Sequence, residues 1–305
     1  FRSIENYGQG GSGSYNHKFL YHNSFIIADD SEAWVLETAG NQWAAELIRG
    51  VYSISNTLTI KGDGRVSSSG LVSNAMSKNY VQNQKDFDFS EDYLSSNRYQ
   101  RFAKGDERRD YTMNKLKQRE GDIDIEYMRD ILGSHQREPF IPKKGSNKDV
   151  CMHYGALSRR SHTASSQISI IGEDSQSHWF TGTSNPCLSI FKPISFSCGI
   201  PNLGREPKNS YDQNNYWWRF EKFHRKFQTN YEKYIPKYKT ERDKLQKKLI
   251  EKEKNTENKE RLTRWAFKKE DDLKKKWESK IEKGRMGILH GFAWKRVNKK
   301  ADINL

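Results

Sequence analysis

Gly50-Val-Tyr-Ser-Ile-Ser-Asn-Thr-Leu-Thr-Ile60 reads as a strand of β-branched and apolar residues interrupted by one amide, Asn56. Asparagine is depleted in strands, so its place there needs a reason. Two are open: a structural amide satisfied at a strand end, or a donor held where an oxyanion develops. Upstream, Ser24-Phe-Ile-Ile-Ala28 and Ala33-Trp-Val-Leu-Glu37 are apolar runs joined by Asp29-Asp-Ser-Glu32, a hairpin signal. Residues 41–48 read as a short strand or a helix. Three or four closely spaced antiparallel strands thus open the chain.

A Ser- and Gly-rich passage, 61–70, reads as an exposed loop. Helical patterns follow at 71–80 and 97–119, and Asp122 is placed to cap a third helix over 123–132. Strand character returns at 150–153, 163–171, 178–182 and 187–191. Strands, then helices, then strands predict an α+β fold layered around a mainly antiparallel sheet. From Tyr211 the pattern is helical. Trp217, Phe220, His224, Phe227, Tyr231 and Tyr234 recur at spacings of three and four, a stripe that predicts core packing, with His224 a packed, hydrogen-bonded ring. Pro236 is expected to break or kink this helix. A second helix starts near Thr240 and a third carries Leu262, Trp265, Leu273, Trp277 and Ile281. Two regions are expected: 1–204, a layered α+β domain, and 205–305, a basic, aromatic-striped helical tail.

The net charge of +14 over 305 residues is a nucleic-acid signal only until it is located. Residues 1–204 hold 23 Lys and Arg against 23 Asp and Glu, so the whole excess lies after Gly204. There the interleaved glutamates read as solvated helix faces with i,i+4 support, and nucleic acid is not the expected partner. No run of about 18 apolar residues exists to span a membrane. Cys151, Cys187 and Cys198 are too few and too scattered in sequence for a disulfide framework or a zinc site. No metal or cofactor is therefore expected, and a reducing compartment, the cytoplasm, is.

Among possible sites, Gly8-Gln-Gly-Gly-Ser-Gly-Ser14 lacks the Lys-Ser or Lys-Thr and the following helix that a phosphate cradle needs. His17 and His22, five apart on a strand, would point to opposite faces. Cys151 and His153, two apart, would share a face as a thiol–imidazole pair, against the simpler reading of a buried, inert cysteine.

Several blocks together resemble the secernins, relatives of the cysteine dipeptidases in the amino-terminal-nucleophile (Ntn) hydrolase superfamily. They are Tyr21-His-Asn-Ser-Phe-Ile-Ile-Ala-Asp29, Glu32-Ala-Trp-Val-Leu-Glu-Thr-Ala-Gly40 with Trp43-Ala-Ala45, and 50–56. Phe87-Asp-Phe-Ser90, Val150-Cys-Met-His153, Trp179-Phe-Thr-Gly-Thr183, Ser189-Ile-Phe-Lys-Pro193 and Trp217-Trp-Arg-Phe-Glu221 follow in order, as do His224-Arg225 and Glu241-Arg-Asp243. The resemblance covers about residues 8–250. It implies the carboxy-terminal part of an αββα sandwich and hydrolysis of a peptide or amide by an amino-terminal Cys through an acyl-enzyme. It implies that Asn56 donates to the oxyanion, and that Arg98 or Arg101, one of the two, serves the site or substrate. It further implies that the nucleophile and a hundred or more residues with two sheet strands lie outside this chain, since all three cysteines here are internal. The chain alone is then expected to be inactive, to expose a sheet edge, and to need that amino-terminal half as partner, with a homo-oligomer also possible. The alternative is a non-catalytic scaffold that engages a partner through its basic tail.

Overall fold

The computed structural model describes residues 2–8, 22–95, 103–155, 159–173, 176–196, 199–284 and 286–305. The fold is mixed α+β, with two small antiparallel sheets and a helical carboxy-terminal region. The chain divides into two compact units, 1–122 and 123–305.

The first unit holds α1 (Arg2–Tyr7) and a four-stranded sheet in sequential order: β1 (Asn23–Ala28), β2 (Ala33–Ala39), β3 (Gln42–Leu47) and β4 (Val66–Ser67). The expected hairpin forms, with Phe25 opposite Leu36 and Ala28 opposite Ala33. Asp29 closes its turn by accepting from the Ser31 and Glu32 amides at 2.8 and 2.9 Å. Of residues 41–48, Gln42–Leu47 resolve to strand. Alternation along β2 sends Val35 into one core with Ala44, Leu58, Ile60, Leu71 and Phe89, and Leu36 to the opposite face with Trp43 and Ala45. Helices α2 (Leu71–Ser77), α3 (Phe89–Ser95) and α4 (Gly105–Gln118) complete the unit.

The strand expected over 50–60 is not one. This segment joins no ladder and bends at 56–57, and side chains answer part of its backbone. Glu37 Oε2 accepts from the Thr59 and Ile60 amides at 2.6 and 3.0 Å, and its Oε1 accepts from Thr59 Oγ1 at 2.8 Å. Burial raises the Glu37 pKa above the ordinary carboxylate value against the lowering effect of these bonds.

In the second unit Asp124, not Asp122, caps α5 (Ile125–Leu132), accepting from the Tyr127 amide at 2.7 Å. The three-stranded sheet is β5 (Gln167–Ile171), β6 (Gln176–Phe180) and β7 (Lys192–Ile194). Residues 150–153 and 187–191, expected as strands, lie outside it. Helix side chains take the place of strand neighbours for the latter: Gln246 accepts from Phe191 N at 2.8 Å and donates to Phe191 O at 3.0 Å, and Glu270 accepts from Ile190 N at 2.9 Å.

The carboxy-terminal helices are α6 to α9, Tyr216–Gln228, Tyr231–Lys254, Lys259–Glu278 and Ile288–Lys300, with Gln246 on α7 and Glu270 on α8. Phe220 and Phe227 of the stripe are buried, and Phe223, Phe227, Tyr238 and Trp277 share one cluster with Trp179 and Phe191 of the sheet region. Residue 204 therefore lies inside a unit whose strands and helices have a common core. Helix α7 runs through Pro236, and the break falls before it, at Thr229 and Asn230. The missing amide is tolerated one turn from the helix start, where it frees only the carbonyl of exposed Glu232. Among the described residues no helix is long and apolar enough to cross a membrane.

Candidate functional site

Asn56 is half-buried and faces the amino-terminal turns of α4. Arg108 is its partner: Nη2 donates to Asn56 Oδ1, Nε to Ser55 Oγ at 3.2 Å and Nη1 to Ala103 O at 2.5 Å. A guanidinium has no acceptor, so the amide atom it meets must be the oxygen, and the donor nitrogen is turned away from it. Arg109 Nε donates to Ser53 O at 3.0 Å and Thr57 Oγ1 to Asp106 Oδ1 at 2.5 Å, so one helix end holds residues 53–57. The approach is close enough to require glycine. A Cβ on Gly105 would lie 2.3 Å from Asn56 O.

Sequence reasoning did not anticipate Arg108, because a charged residue in a helix pattern reads as surface. It is 7% exposed. Arg98 and Arg101 lie outside the described residues, as do Cys198, His17 and residues 9–14 of the glycine-rich loop. His22 is held by Tyr93 O, 3.3 Å from its Nε2.

In the second unit two cysteines scattered in sequence come together, which overturns the inference that their spacing excludes a metal site. The ligand atoms of His135, Cys151, His153 and Cys187 all lie within 4.8 Å of one another, and all four residues are buried. His153 Nε2 is 3.3 Å from His135 Nε2, 3.6 Å from Cys151 Sγ and 3.2 Å from Cys187 Sγ. The expected Cys151–His153 pair is present as half of this cluster. Segment 134–135 after α5 is tied to residues 151–153 by Cys151 N donating to Ser134 O at 3.0 Å. Cys187 packs against the end of α5 at Gly133, where a Cβ would sit in ordinary contact, 3.4 Å from Cys187 Cα.

Burial alone would raise the Cys187 thiol, but the Cys151 thiol beside it, with His153 and His135, brings it well below the ordinary value. Cys151, buried next to that sulfur, rises well above it.

A third buried polar group is made by Ser184, Glu221 and His224. Ser184 Oγ lies 2.5 Å from Glu221 Oε2 and 3.1 Å from His224 Nδ1, and Arg225 Nε donates to Glu221 at 2.6 Å. The serine sits between acid and imidazole instead of at the end of a relay, and all three side chains are closed to solvent. This is packing chemistry, as expected for His224. No known family model matches the chain.

Proposed function

We propose that the chain is the larger, carboxy-terminal part of an Ntn-type cysteine dipeptidase or amidase of the secernin kind. The carrying observation is the clasp on Asn56, whose side-chain oxygen is engaged by a buried arginine that fixes the orientation of the amide. That orientation suits donation to the oxyanion of a tetrahedral intermediate. The nucleophile is an amino-terminal Cys brought by another segment, with its own α-amino group as base, since the cysteines of this chain are all internal. The exposed apolar strand β1 agrees with a sheet meant to continue into an αββα sandwich: Phe25, Ile26 and Ile27 are 45%, 44% and 53% exposed. A peptide or small amide is the substrate and the cytoplasm the compartment.

The test is dipeptide hydrolysis by the protein completed with a Cys-bearing amino-terminal segment. Asn56→Ala lowers kcat by about 10²–10³, the usual effect of removing one oxyanion donor. Full kcat in that variant removes the assignment, and no hydrolysis by the completed protein removes the reaction.

A second reading, a non-catalytic scaffold, has its own observation. Helix α9 exposes Ile288, Leu289 and Phe292 beside Lys295, Arg296, Lys299 and Lys300. A partner laid on this basic, apolar helix is the interaction that reading requires, and Leu289→Ser with Phe292→Ser, both exposed, abolishes it while sparing hydrolysis.

A further inference from the structure

We propose that His135, Cys151, His153 and Cys187 bind one zinc ion as a closed, structural tetrahedral site. The site belongs to the second unit and does not depend on the hydrolase reading. With Zn–N near 2.0–2.1 Å and Zn–S near 2.3 Å, a regular tetrahedron has nitrogen–nitrogen edges of about 3.3 Å and nitrogen–sulfur edges of about 3.5 Å. The cluster shows 3.3 Å between imidazoles and 3.6 and 3.2 Å from imidazole to sulfur. The three edges that meet at His153 Nε2 thus have the lengths of a zinc tetrahedron, and the other three lie within 4.8 Å, a small contraction away from it.

The chemistry of the surroundings agrees. His153 Nδ1 lies 3.1 Å from Gln228 Oε1, so this nitrogen carries the hydrogen and Nε2 turns its lone pair toward the other three ligand atoms. His135 turns Nε2 inward as well, with its ring stacked on Phe140 at 3.5 Å and the exposed Glu138 carboxylate 3.8 Å from Nδ1, an ion-pair distance and not a hydrogen bond. Two thiolates neutralise a divalent ion, so the complex buries no net charge. On binding, the two thiols release their protons and the imidazoles bind neutral. An S₂N₂ donor set selects zinc over hard, oxygen-loving cations.

Four protein ligands leave no position for water or substrate, which assigns a structural and not a catalytic role. The ion would pin three segments that have no strand pairing with one another: residues 134–135 after α5, residues 151–153, and residues 186–191, which carry much of the core. Entry is through a cleft of about 350 Å³ whose wall includes His135, Cys187, Phe140 and Tyr231.

The experiment is metal analysis of the reduced chain, purified without a histidine tag or chelator. One zinc per chain should survive gel filtration, and cobalt exchanged for it should give the visible spectrum of tetrahedral thiolate coordination. Cys198→Ser keeps the metal, whereas Cys151→Ser with Cys187→Ser loses it. Loss of a structural ion also threatens folding, so a gentler variant accompanies these. Gln228→Ala should weaken zinc binding about 10–100-fold, the usual effect of deleting a partner behind a ligand, with Gln228→Glu restoring it. No metal as purified together with no stoichiometric uptake of zinc or cobalt overturns the proposal. So does uptake that survives the double cysteine variant, or a Cys151–Cys187 disulfide in the freshly purified chain.

Discussion

Lys192 Nζ lies 2.5 Å from Glu270 Oε2, and neither side chain reaches solvent. The pair is fully hydrogen-bonded: Lys192 also donates to Thr181 O at 2.6 Å and Ile190 O at 3.0 Å, while Glu270 accepts from the Ile190 amide and from the Tyr216 hydroxyl. Burial pushes the Lys192 pKa down, against the pull of Glu270. Breaking such a pair from one side strands a charge. Glu270→Ala should therefore cost about 3–5 kcal/mol in urea unfolding of the second unit. Lys192→Met with Glu270→Gln should cost much less than the two single changes together, because no charge is left and the Ile190 amide keeps an acceptor. Strict additivity would show that the pair is not coupled.

His224 should set part of the acid limit of stability. Burial lowers its pKa from 6.5 to about 4, opposed by Glu221 and Cys187, with His153 and His162 adding to the fall. Between about pH 6.5 and 4 the unfolded chain binds this proton and the folded chain does not, so stability falls as pH falls through that window. At about 1.4 kcal/mol per unit, the contribution is on the order of 3 kcal/mol. His290, also lowered to about 4, acts in the same direction. His224→Asn should flatten, without abolishing, the acid limb of unfolding free energy against pH. An unchanged limb would remove His224 as a contributor.

Gly105 is a sharper probe of the Asn56 clasp than removal of Arg108, because it changes no charge. Its Cβ would lie 2.3 Å from Asn56 O and 2.5 Å from the same carbonyl carbon, both backbone atoms that cannot swing aside. Gly105→Ala should cost about 1–3 kcal/mol, the usual range for overpacking. If Asn56 serves the oxyanion, the same variant lowers kcat of the completed enzyme more than it changes KM. An unfolding midpoint equal to that of the parent chain would show that the helix end can retreat.

The elements that were legible in the sequence are those whose pattern and partners are local. The β1–β2 hairpin follows from two apolar runs and an Asp-rich turn, and the aromatic stripe from a 3.6-residue period that buries Phe220 and Phe227. Residues 50–60 and 187–191 have strand composition, yet Glu37 in one case and Gln246 and Glu270 in the other supply hydrogen bonds that a neighbouring strand would have made. Such substitutions come from residues tens of positions away and leave no local trace. The Cys/His cluster was hidden for the same reason. Only Cys151 and His153 have a readable spacing, while His135 and Cys187 arrive from separate loops. Arg108 was hidden by its helix, whose pattern gives no sign that Gly105 and Arg108 are buried in its first turn.

The exposed edge at β1 should govern how the isolated chain aggregates. Among the described residues β1 pairs only with β2, and Phe25, Ile26 and Ile27 put apolar side chains on both faces of that edge strand. Open backbone donors and acceptors flanked by apolar side chains are a template for pairing with another chain, and a lysine on such an edge opposes it. Ile26→Lys should slow aggregation, followed by light scattering at fixed concentration. It should move the unfolding free energy by no more than about 0.5 kcal/mol, as expected for an exposed position. A Cys-bearing amino-terminal segment added in trans should suppress scattering of the parent chain, because it covers the same edge, and should do so less well for the lysine variant. Equal scattering by parent and variant at equal stability would place the sticky surface elsewhere and would weaken the view that this sheet is built to continue into a second segment.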